Sequence, residues 1–467
     1  MRLFKNNFFK KMSIYFVGTF STYLINILLV PLYAYFVSTE ELGEYDYLLS
    51  VSNMITPIVF FVLWESILKY CLGKDKDNFT NYFSTAFIFG GFGCIACAAV
   101  MGCLIPFNLK INLPLLFLLI IVQGLVSLWQ YSARAMGETK QYVISGIAGS
   151  VALILLDLFF AFCLRLDYIG LTISRIASLL ITIVVLEFKT KLLSKIRFQL
   201  FSKTKLKQML LFSAPLVVNT VALWFYSGGN RIIIRDLIGA SENGLYSFAA
   251  KFSVLISFCS TIVSMAVIEE AYSYNSIDEY RVKIGRLISM ISKAYFSMIL
   301  LAIPAINILY QFAFKQTAYY ESSVFVLPLL LSALFTALAN NYGSSFQVTD
   351  KTKYIFITTL VGAIISLAIS LGFIGVLGIW SVVIGNIIGP FVMMLLRAIY
   401  AKKVTQLSIN WTINIVLFAT SVLSSIIINV FSSLFITACI FVVCVLLVFI
   451  LYRKELMGTV GSLRRKK

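Results

Sequence analysis

Residues 411–452 read WTINIVLFATSVLSSIIINVFSSLFITACIFVVCVLLVFILY and contain no charged side chain. An apolar run of roughly 20 residues is long enough for one helix to cross the hydrocarbon core of a bilayer. Two such runs, 411–431 and 434–452, fit into this part of the chain. We therefore expect two membrane helices here.

The same pattern recurs along most of the 467 residues, of which 60% are apolar and 12% charged. The mean hydropathy of +0.93 is too high for a soluble fold, so lipid is the expected solvent. The strand alternation of a barrel is absent, which favours an all-α bundle. The first run follows Lys10 and Lys11 and is too long for a signal-peptide core, so we expect it to be retained. Fourteen spans are predicted, with twelve as the alternative count, at about 13–36, 47–70, 82–106, 113–133, 142–163, 169–187, 208–229, 247–268, 287–310, 324–347, 354–374, 378–398, 411–431 and 434–452.

Basic residues predict the orientation, because Lys and Arg stay on the cytoplasmic side during insertion. The segment 191–207 is strongly basic, whereas the first outer loop is acidic, with Glu40, Glu41, Glu44 and Asp46. We expect a multi-pass protein of a bacterial cytoplasmic (inner) membrane with both termini in the cytoplasm. The net charge of +18 fits anionic membrane lipids better than nucleic acid. The basic residues in the predicted outer loops are Lys110, Arg165, Arg231, Arg235 and Lys315.

A short motif occurs twice, as Glu41-Leu42-Gly43-Glu44-Tyr45 and as Glu242-Asn243-Gly244-Leu245-Tyr246. The two copies follow predicted helices one and seven, which predicts parallel repeats related by an axis along the membrane normal. The predicted domains are an N-terminal six-helix lobe (1–190), a basic cytoplasmic linker (191–207), a C-terminal six-helix lobe (208–400), and two extra helices with a basic tail (401–467). Two such lobes can rock about a central cavity in alternating access.

Several further motifs follow in order: Pro31, Trp64 to Tyr70 (WESILKY), Arg134 to Gly137 (RAMG), Phe212 to Pro215 (FSAP), Asn230-Arg231, Gly244 to Tyr246 leading to Lys251, and Gly375-x-x-Gly378. In this order and spacing the chain resembles the polysaccharide-lipid flippases of the multidrug/oligosaccharidyl-lipid/polysaccharide exporter superfamily, which include O-antigen and capsule-repeat transporters. The resemblance implies a V-shaped two-lobe bundle of the MATE-like fold. It also implies a flippase that moves an undecaprenyl-diphosphate-linked oligosaccharide to the outer leaflet for cell-surface polysaccharide biosynthesis, alongside other polysaccharide-assembly membrane proteins.

Charges inside predicted spans are the candidate functional residues, because a charge at the bilayer centre costs about 2.5 to 3.5 kcal/mol on insertion scales. Arg and Lys can replace the hydration of a diphosphate. We predict a cationic substrate-binding cavity formed by Arg231, Lys251, Arg175, Lys69 and Arg235.

Each of these residues also has a structural interpretation. Asp157 and Arg175 lie at equal depth in neighbouring spans and can form a structural pair, or Asp157 can be an ion-coupling site. Glu65 lies one turn before Lys69, which allows a simple intrahelical ion pair. Lys251 lies four residues into predicted helix eight, from where it could snorkel to the surface.

Two other functional classes are weighed against the flippase. An ion-coupled drug exporter of the same superfamily would need several buried carboxylates, and only Asp157 and Glu65 qualify. A membrane polymerase or glycosyltransferase would need acid–base residues on a large outer loop, and none is predicted. The eight cysteines lie in or beside the spans and histidine is absent. We therefore expect no disulfide framework, no metal, no cofactor and no enzymatic activity.

Overall fold

The computed structural model describes residues 29–71, 76–107, 111–272, 277–349, 351, 353–406 and 411–464. Within these ranges the chain is almost entirely helical and contains no strand. Helices satisfy their backbone hydrogen bonds within one segment, which an apolar solvent requires. The predicted all-α class is confirmed.

Seventeen helices follow one another along the described residues. Their bounds are 29–36 (α1), Thr39–Val59 (α2), Leu63–Cys71 (α3), Lys76–Leu104 (α4), Leu113–Ala135 (α5), Thr139–Asp157 (α6), Tyr168–Thr190 (α7), Lys203–Ser227 (α8), Gly229–Leu237 (α9), Ala240–Tyr272 (α10), Ile277–Leu309 (α11), Val326–Val348 (α12), Lys353–Gly372 (α13), Ile374–Leu377 (α14), Ile379–Thr405 (α15), Thr412–Phe431 (α16) and Leu434–Arg464 (α17). Short π-helical segments, Leu158–Cys163 and Tyr310–Phe314, extend α6 and α11.

Ten helices of the described chain are long and apolar enough to cross a membrane, and α2 with α3 makes an eleventh span if the two count as one. Every predicted span after the first corresponds to one helix or to one interrupted helix. The first predicted span, 13–36, lies outside the described residues except for α1. The protein is a multi-pass membrane protein.

Helix α2 begins about two turns earlier than predicted, and the reason is a capping box at Ser38. The Ser38 hydroxyl accepts a hydrogen bond from the Glu41 N–H at 3.2 Å, and the Glu41 carboxylate accepts one from the Ser38 N–H at 2.7 Å. This reciprocal pair satisfies two donors that a helix start leaves open. The acidic residues expected in a loop, Glu44 and Asp46 among them, therefore lie on α2.

The second predicted span is interrupted at Phe60–Val62, where α2 and α3 meet at a bend of 53°. Phe61 and Val62 have φ angles of 52° and 50°, a left-handed conformation that is strained for a β-branched residue. The Ser213 hydroxyl donates to the Val62 carbonyl at 3.3 Å and lies 2.8 Å from the Ser66 hydroxyl. Contacts with α8 thus hold the interruption, and the WESILKY and FSAP motifs meet there.

The chain forms two compact units. Unit 1 comprises Met1–Ser247 and Leu367–Val382, and unit 2 comprises Phe248–Ser366 and Val383–Lys467. Unit 1 therefore contains α1 to α9 and the start of α10, together with the end of α13, α14 and the start of α15. The two lobes predicted from the repeat, with their boundary at residues 191–207, remain a prediction.

In unit 2, α11 packs against both C-terminal helices, α16 and α17. The serine face of α16 is buried, with Ser421 fully enclosed and Ser424 and Ser425 each 6% exposed. Small hydroxyl side chains let membrane helices approach closely. Lys293 of α11 donates to the Leu451 carbonyl at 3.3 Å, which further joins α11 to α17.

Candidate transport site

Helix α8 runs antiparallel to α2 and α3, which gives this part of unit 1 two ends. The Trp224 indole N–H near the end of α8 donates to the Ser50 carbonyl of α2 at 2.8 Å, while Ser213 near its start contacts Ser66 of α3. We call the end with α3, the start of α8 and residues 191–202 the linker end. We call the end with residues 39–47 of α2, α9 and residues 240–247 of α10 the crossing end.

At the crossing end the two copies of the repeated motif contact each other reciprocally. A Cβ on Gly43 would overlap the Ala240 carbonyl, and a Cβ on Gly244 would overlap the Thr39 carbonyl. Thr39 and Ala240 occupy equivalent positions in the two copies, four residues before each glycine. Reciprocal contacts of this kind are the pattern that a two-fold relation produces. Only glycine allows the two backbones to approach this closely.

Hydrogen bonds also join the two helices at this crossing. The Asn243 amide donates to the Gly43 carbonyl at 2.7 Å, and the Thr39 and Ser241 hydroxyls lie 2.7 Å apart. Asn243 is fully buried. The starts of α2 and α10 are thus joined by backbone packing and by hydrogen bonds.

The two arginines of α9 are both held by carboxylates of α2. Arg231 pairs with Asp46 at 2.5 Å, and Arg235 pairs with Glu44 at 3.0 Å. Arg235 also contacts Asp236 at 2.9 Å. The sequence placed Arg231 and Arg235 in a predicted outer loop and in a predicted cationic cavity. Instead, the early start of α2 supplies an acid to each arginine.

The Arg231 guanidinium stays charged in this setting. Burial lowers its pKa, but the attraction of Asp46 and the hydrogen bond to it raise the pKa by more, so the net shift is upward. The side chain is 24% exposed and that of Asp46 is 12% exposed. An incoming anion would therefore have to compete with an established, partly buried ion pair.

Asp157 and Arg175 lie in one polar cluster of unit 1 without contacting each other directly. The Tyr33 hydroxyl donates to Asp157 at 2.9 Å, and Asp157 is fully buried. Both Asp157 and Arg175 interact electrostatically with Tyr33 and Tyr45. Among the described residues no ion pair joins Asp157 to Arg175. The direct pair suggested by their equal depth is therefore not formed, and the hydrogen bond from Tyr33 joins Asp157 to α1 instead.

The predicted intrahelical pair of Glu65 and Lys69 does not form either. Glu65 accepts a hydrogen bond from the Tyr131 hydroxyl at 2.9 Å, on α5. The Lys69 ammonium lies 3.8 Å from the ring centre of Phe212, on α8. Each of the two side chains contacts a different neighbouring helix. The spacing of four residues, which would allow an ion pair within α3, therefore produces none.

Lys251 lies deeper in its helix than the sequence indicated. Helix α10 begins at Ala240, so Lys251 follows about three turns after the helix start rather than one. The side chain is partly buried. Lys251 belongs to unit 2, whereas Arg175 and Arg231 belong to unit 1. That these three cations line one cavity remains a prediction.

Arg397 is a buried cation that the sequence analysis missed. It is 3% exposed and donates to the Ala339 carbonyl at 3.0 Å and to the Thr358 and Thr359 hydroxyls at 3.0 and 2.9 Å. It lies at the end of predicted span 378–398 and was not among the candidate charges. Lys402 and Lys403, further along α15, are exposed, so the apolar segment ends near them rather than at Arg397.

Residues 8–269, more than half of the chain, match the family described as polysaccharide biosynthesis protein. The chain belongs to this family. It is 22% identical over 407 residues to a protein of the Lsg locus of Haemophilus influenzae, a match that covers 80% of this chain and 96% of the relative. The resemblance seen in the sequence is confirmed.

Solved structures show which fold this member of the family has. The lipid II flippase MurJ in an inward closed conformation matches with a TM-score of 0.70 and 12% identity, over 94% of this chain and 99% of that one. An inward-facing multidrug resistance MATE family transporter of the MOP superfamily matches with a TM-score of 0.64 and 16% identity, over 82% and 94%. At these identities the similarity establishes the fold, which is that of a membrane transporter.

Proposed function

We propose that this protein is a flippase that carries an undecaprenyl-diphosphate-linked oligosaccharide from the cytoplasmic to the outer leaflet without chemically changing it. Membership of the polysaccharide biosynthesis family supports a role in making a surface polymer, such as an O-antigen or a capsule. Similarity to a lipid II flippase and to a MATE transporter supports transport by alternating access. The positive-inside pattern supports a cytoplasmic position for the linker end.

The surroundings of Arg175 are the observation that most favours an anionic substrate. Arg175 lies within α7, one of the apolar helices long enough to span the membrane, and it has no ion-pair partner among the described residues. Its Nε is buried and makes no hydrogen bond. A cation in this setting is costly unless an anion or water compensates it. A diphosphate supplies the charge and the acceptor oxygens that this guanidinium lacks.

The reciprocal crossing of Gly43 and Gly244 supports the mechanism. It holds the backbones at the starts of α2 and α10 in direct contact at one end of unit 1. A substrate that leaves at this end needs the crossing to separate. Alternating access then means that the crossing end and the linker end open in turn.

The test is a flipping assay in proteoliposomes that contain undecaprenyl-diphosphate-linked N-acetylglucosamine. An externally added galactosyltransferase labels only the sugar in the outer leaflet, so continued labelling after the initial burst measures flipping. We expect the purified protein to flip the lipid well above protein-free liposomes. Labelling that stops after the burst with folded wild-type protein would refute the proposed function.

The matched variants are Arg175→Gln and Lys189→Gln, which remove one cation each from α7. Lys189 is exposed and lies near the helix end, so its loss should leave flipping unchanged. Arg175→Gln should lower the rate at least tenfold, while thermal unfolding stays near that of the wild type. Arg231→Ala and Lys251→Ala test two further cations of the predicted cavity. Equal rates for Arg175→Gln and wild type would contradict the anion-binding role.

An ion-coupled exporter of cationic drugs is the second candidate, and buried Asp157 is the observation that favours it. A buried carboxylate can bind a proton or a metal cation in exchange for a substrate. This candidate predicts that the proteoliposomes accumulate ethidium when a proton or sodium gradient is imposed. The flippase proposal predicts no ethidium transport beyond that of protein-free liposomes.

A further inference from the structure

Three aromatic rings and two lysines converge at the linker end from three different helices. We call them the linker-end cluster: Lys69 and Tyr70 of α3, Tyr82 of α4, and Lys205 and Phe212 of α8. Residues from both the WESILKY and the FSAP motif take part. Fold and topology alone do not account for this combination of side chains.

The three rings form one continuous aromatic surface. Tyr70 and Tyr82 stack with their centres 5.4 Å apart and their planes 8° from parallel, and Phe212 meets Tyr70 edge-on at 6.0 Å. The Tyr82 hydroxyl donates to the Gln208 side chain at 3.1 Å. Tyr82 is 7% exposed and therefore lies between helices rather than in a belt facing lipid, while Tyr70 and Phe212 are partly buried.

The two ammonium groups rest on the faces of these rings. Lys69 lies 3.8 Å from the centre of Phe212 and 5.3 Å from that of Tyr70, and Lys205 lies 4.8 Å from the centre of Tyr82. Lys69 is exposed and has no ion pair among the described residues. A contact between a cation and a ring is weaker than a charge-assisted hydrogen bond to phosphate. A diphosphate would therefore displace the ring contact of Lys69 at little cost.

The crossing end offers an anion the opposite conditions. Its arginines are already paired with Glu44 and Asp46. A cavity of about 460 Å³ beside Arg235 is lined by several carboxylates, which repel an anion; the acids that line it are Glu40, Glu41, Glu44 and Asp167. Lys69, which is exposed and makes no ion pair among the described residues, thus offers an anion better conditions than the paired arginines of the crossing end.

We propose that the linker-end cluster is the loading site for the headgroup of the substrate, a sugar attached to a lipid diphosphate. Lys69 and Lys205 bind the diphosphate oxygens, and the faces of Tyr70 and Phe212 pack against the apolar C–H face of the first sugar. The inference rests on the proposed flippase function. It adds the position at which the substrate first binds and the aromatic surface that makes a sugar preferable to a bare diphosphate.

The test measures binding to the purified full-length protein in nanodiscs of zwitterionic lipid. The probes are a short-chain prenyl diphosphate with an attached N-acetylglucosamine, and the same prenyl diphosphate without the sugar. Lys69→Ala and Lys205→Ala should each weaken binding of both probes about 10- to 100-fold, as expected for a lost charge-assisted hydrogen bond. Phe212→Leu should weaken binding of the sugar-bearing probe more than that of the bare one. Lys203→Ala, an exposed lysine two residues before Lys205, should have no effect.

Two results would overturn the loading site. One is wild-type affinity in both lysine variants when their thermal unfolding is unchanged. The other is an affinity for phosphatidylglycerol, added to the nanodiscs as a competitor, equal to that for the sugar-bearing probe; the cluster would then be an anchor for anionic lipid.

The flipping assay separates this proposal from the proposed function. If wild-type protein flips the lipid and Lys69→Ala flips it equally fast at a substrate concentration below saturation, the loading site is wrong and the flippase stands. If the wild type binds the probe through the cluster but never flips the lipid, the flippase proposal fails and the binding site stands.

Discussion

Arg397 is the most enclosed cation that we describe, and its role is structural. Its guanidinium joins α12 and α13 to α15 through neutral oxygens, the Ala339 carbonyl and the Thr358 and Thr359 hydroxyls. The planar guanidinium spreads five donors over a fixed fork and can reach three helices, whereas a lysine has three donors on a single nitrogen. Its position in unit 2 is thus explained without a substrate.

Arg397→Ala should lower the free energy of unfolding by at least about 3 kcal/mol, since each hydrogen bond to a charged group contributes roughly 1.5 to 3 kcal/mol. Arg397→Lys should recover less than half of this loss, because it retains the charge but not the fork. Thermal unfolding of the purified protein in detergent measures both. Lys403→Ala, an exposed change on the same helix, is the control and should have no effect. An unchanged Tm for Arg397→Ala would contradict the bridging role.

Asp157 offers a second prediction at this scale, because its neighbour Tyr33 needs an acceptor. Asp157→Asn keeps an oxygen that can accept the hydrogen bond from Tyr33, so stability should change little. Asp157→Leu leaves the buried hydroxyl without this acceptor and should cost about 1 to 3 kcal/mol. Thermal unfolding distinguishes the two variants, and Tyr33→Phe in the Asp157→Leu background should restore part of the loss. Additive effects of the two changes would contradict the pairing.

The sequence identified several charged residues in the spans, although not Arg397, and it did not identify their partners. Asp157 and Arg175 were found because charges are rare in apolar runs. Their partners could not be found, since Tyr33 is an ordinary residue of an apolar helix and its hydroxyl becomes informative only when α1 packs beside α6. Lys69 was found for the same reason, but nothing in the FSAP motif indicated that its Phe212 would lie against the Lys69 ammonium.

At the scale of elements, the crossing of α2 and α10 depends on two glycines. Gly43→Ala or Gly244→Ala would place a Cβ against a backbone carbonyl, which no rotamer change can relieve. Each change should destabilise the crossing by about 1 to 3 kcal/mol, as in other overpacked contacts. Gly146→Ala is the matched control, because nothing lies within 4 Å of its added Cβ and alanine favours a helix.

A disulfide reports on the crossing directly. With Thr39→Cys and Ser241→Cys in place, whose native hydroxyls lie 2.7 Å apart, mild oxidation should give a high yield of the 39–241 disulfide by mass spectrometry. Gly43→Ala should lower that yield several-fold, while Gly146→Ala should not. A yield that Gly43→Ala leaves unchanged would show that the glycine contact does not hold the two helices together.

Helix positions were predictable and several helix starts were not. Apolar runs located every described span, but they indicate where the membrane is rather than where a helix begins. The Ser-x-x-Glu pattern of a capping box is visible in the sequence at Ser38 to Glu41, and it would have predicted the start of α2 correctly. The start of α10 at Ala240 has no such signal, and the depth of Lys251 was misjudged as a result.

For the whole molecule, alternating access predicts that a permanent bond across the crossing end stops transport. The disulfide between Thr39→Cys and Ser241→Cys should reduce flipping at least tenfold, and a reducing agent should restore it. Ser424→Cys provides the control, since it lies beside native Cys444 and can join α16 to α17 outside the repeat. That second disulfide should leave flipping unchanged. Full activity in the oxidised 39–241 protein would contradict opening at this end.

Composition was sufficient to predict an all-α membrane protein, and the resemblance of ordered motifs was sufficient to predict its family. The ion pairs of Arg231 and Arg235 at the crossing end were not predictable, because they form only when Glu44 and Asp46 lie on a helix. The repeated motif was visible as a pattern, but a pattern of three matching residues does not reveal that its two copies touch.

The mutual contact of Gly43 and Gly244 also restricts how this junction can evolve. A methyl group acquired by either copy collides with the other copy's peptide chain, so no compensating side-chain change is available within the pair. A substitution at one glycine therefore cannot be compensated by a substitution at the other. Both glycine codons should therefore stay fixed together among relatives of this chain, even where the surrounding residues differ.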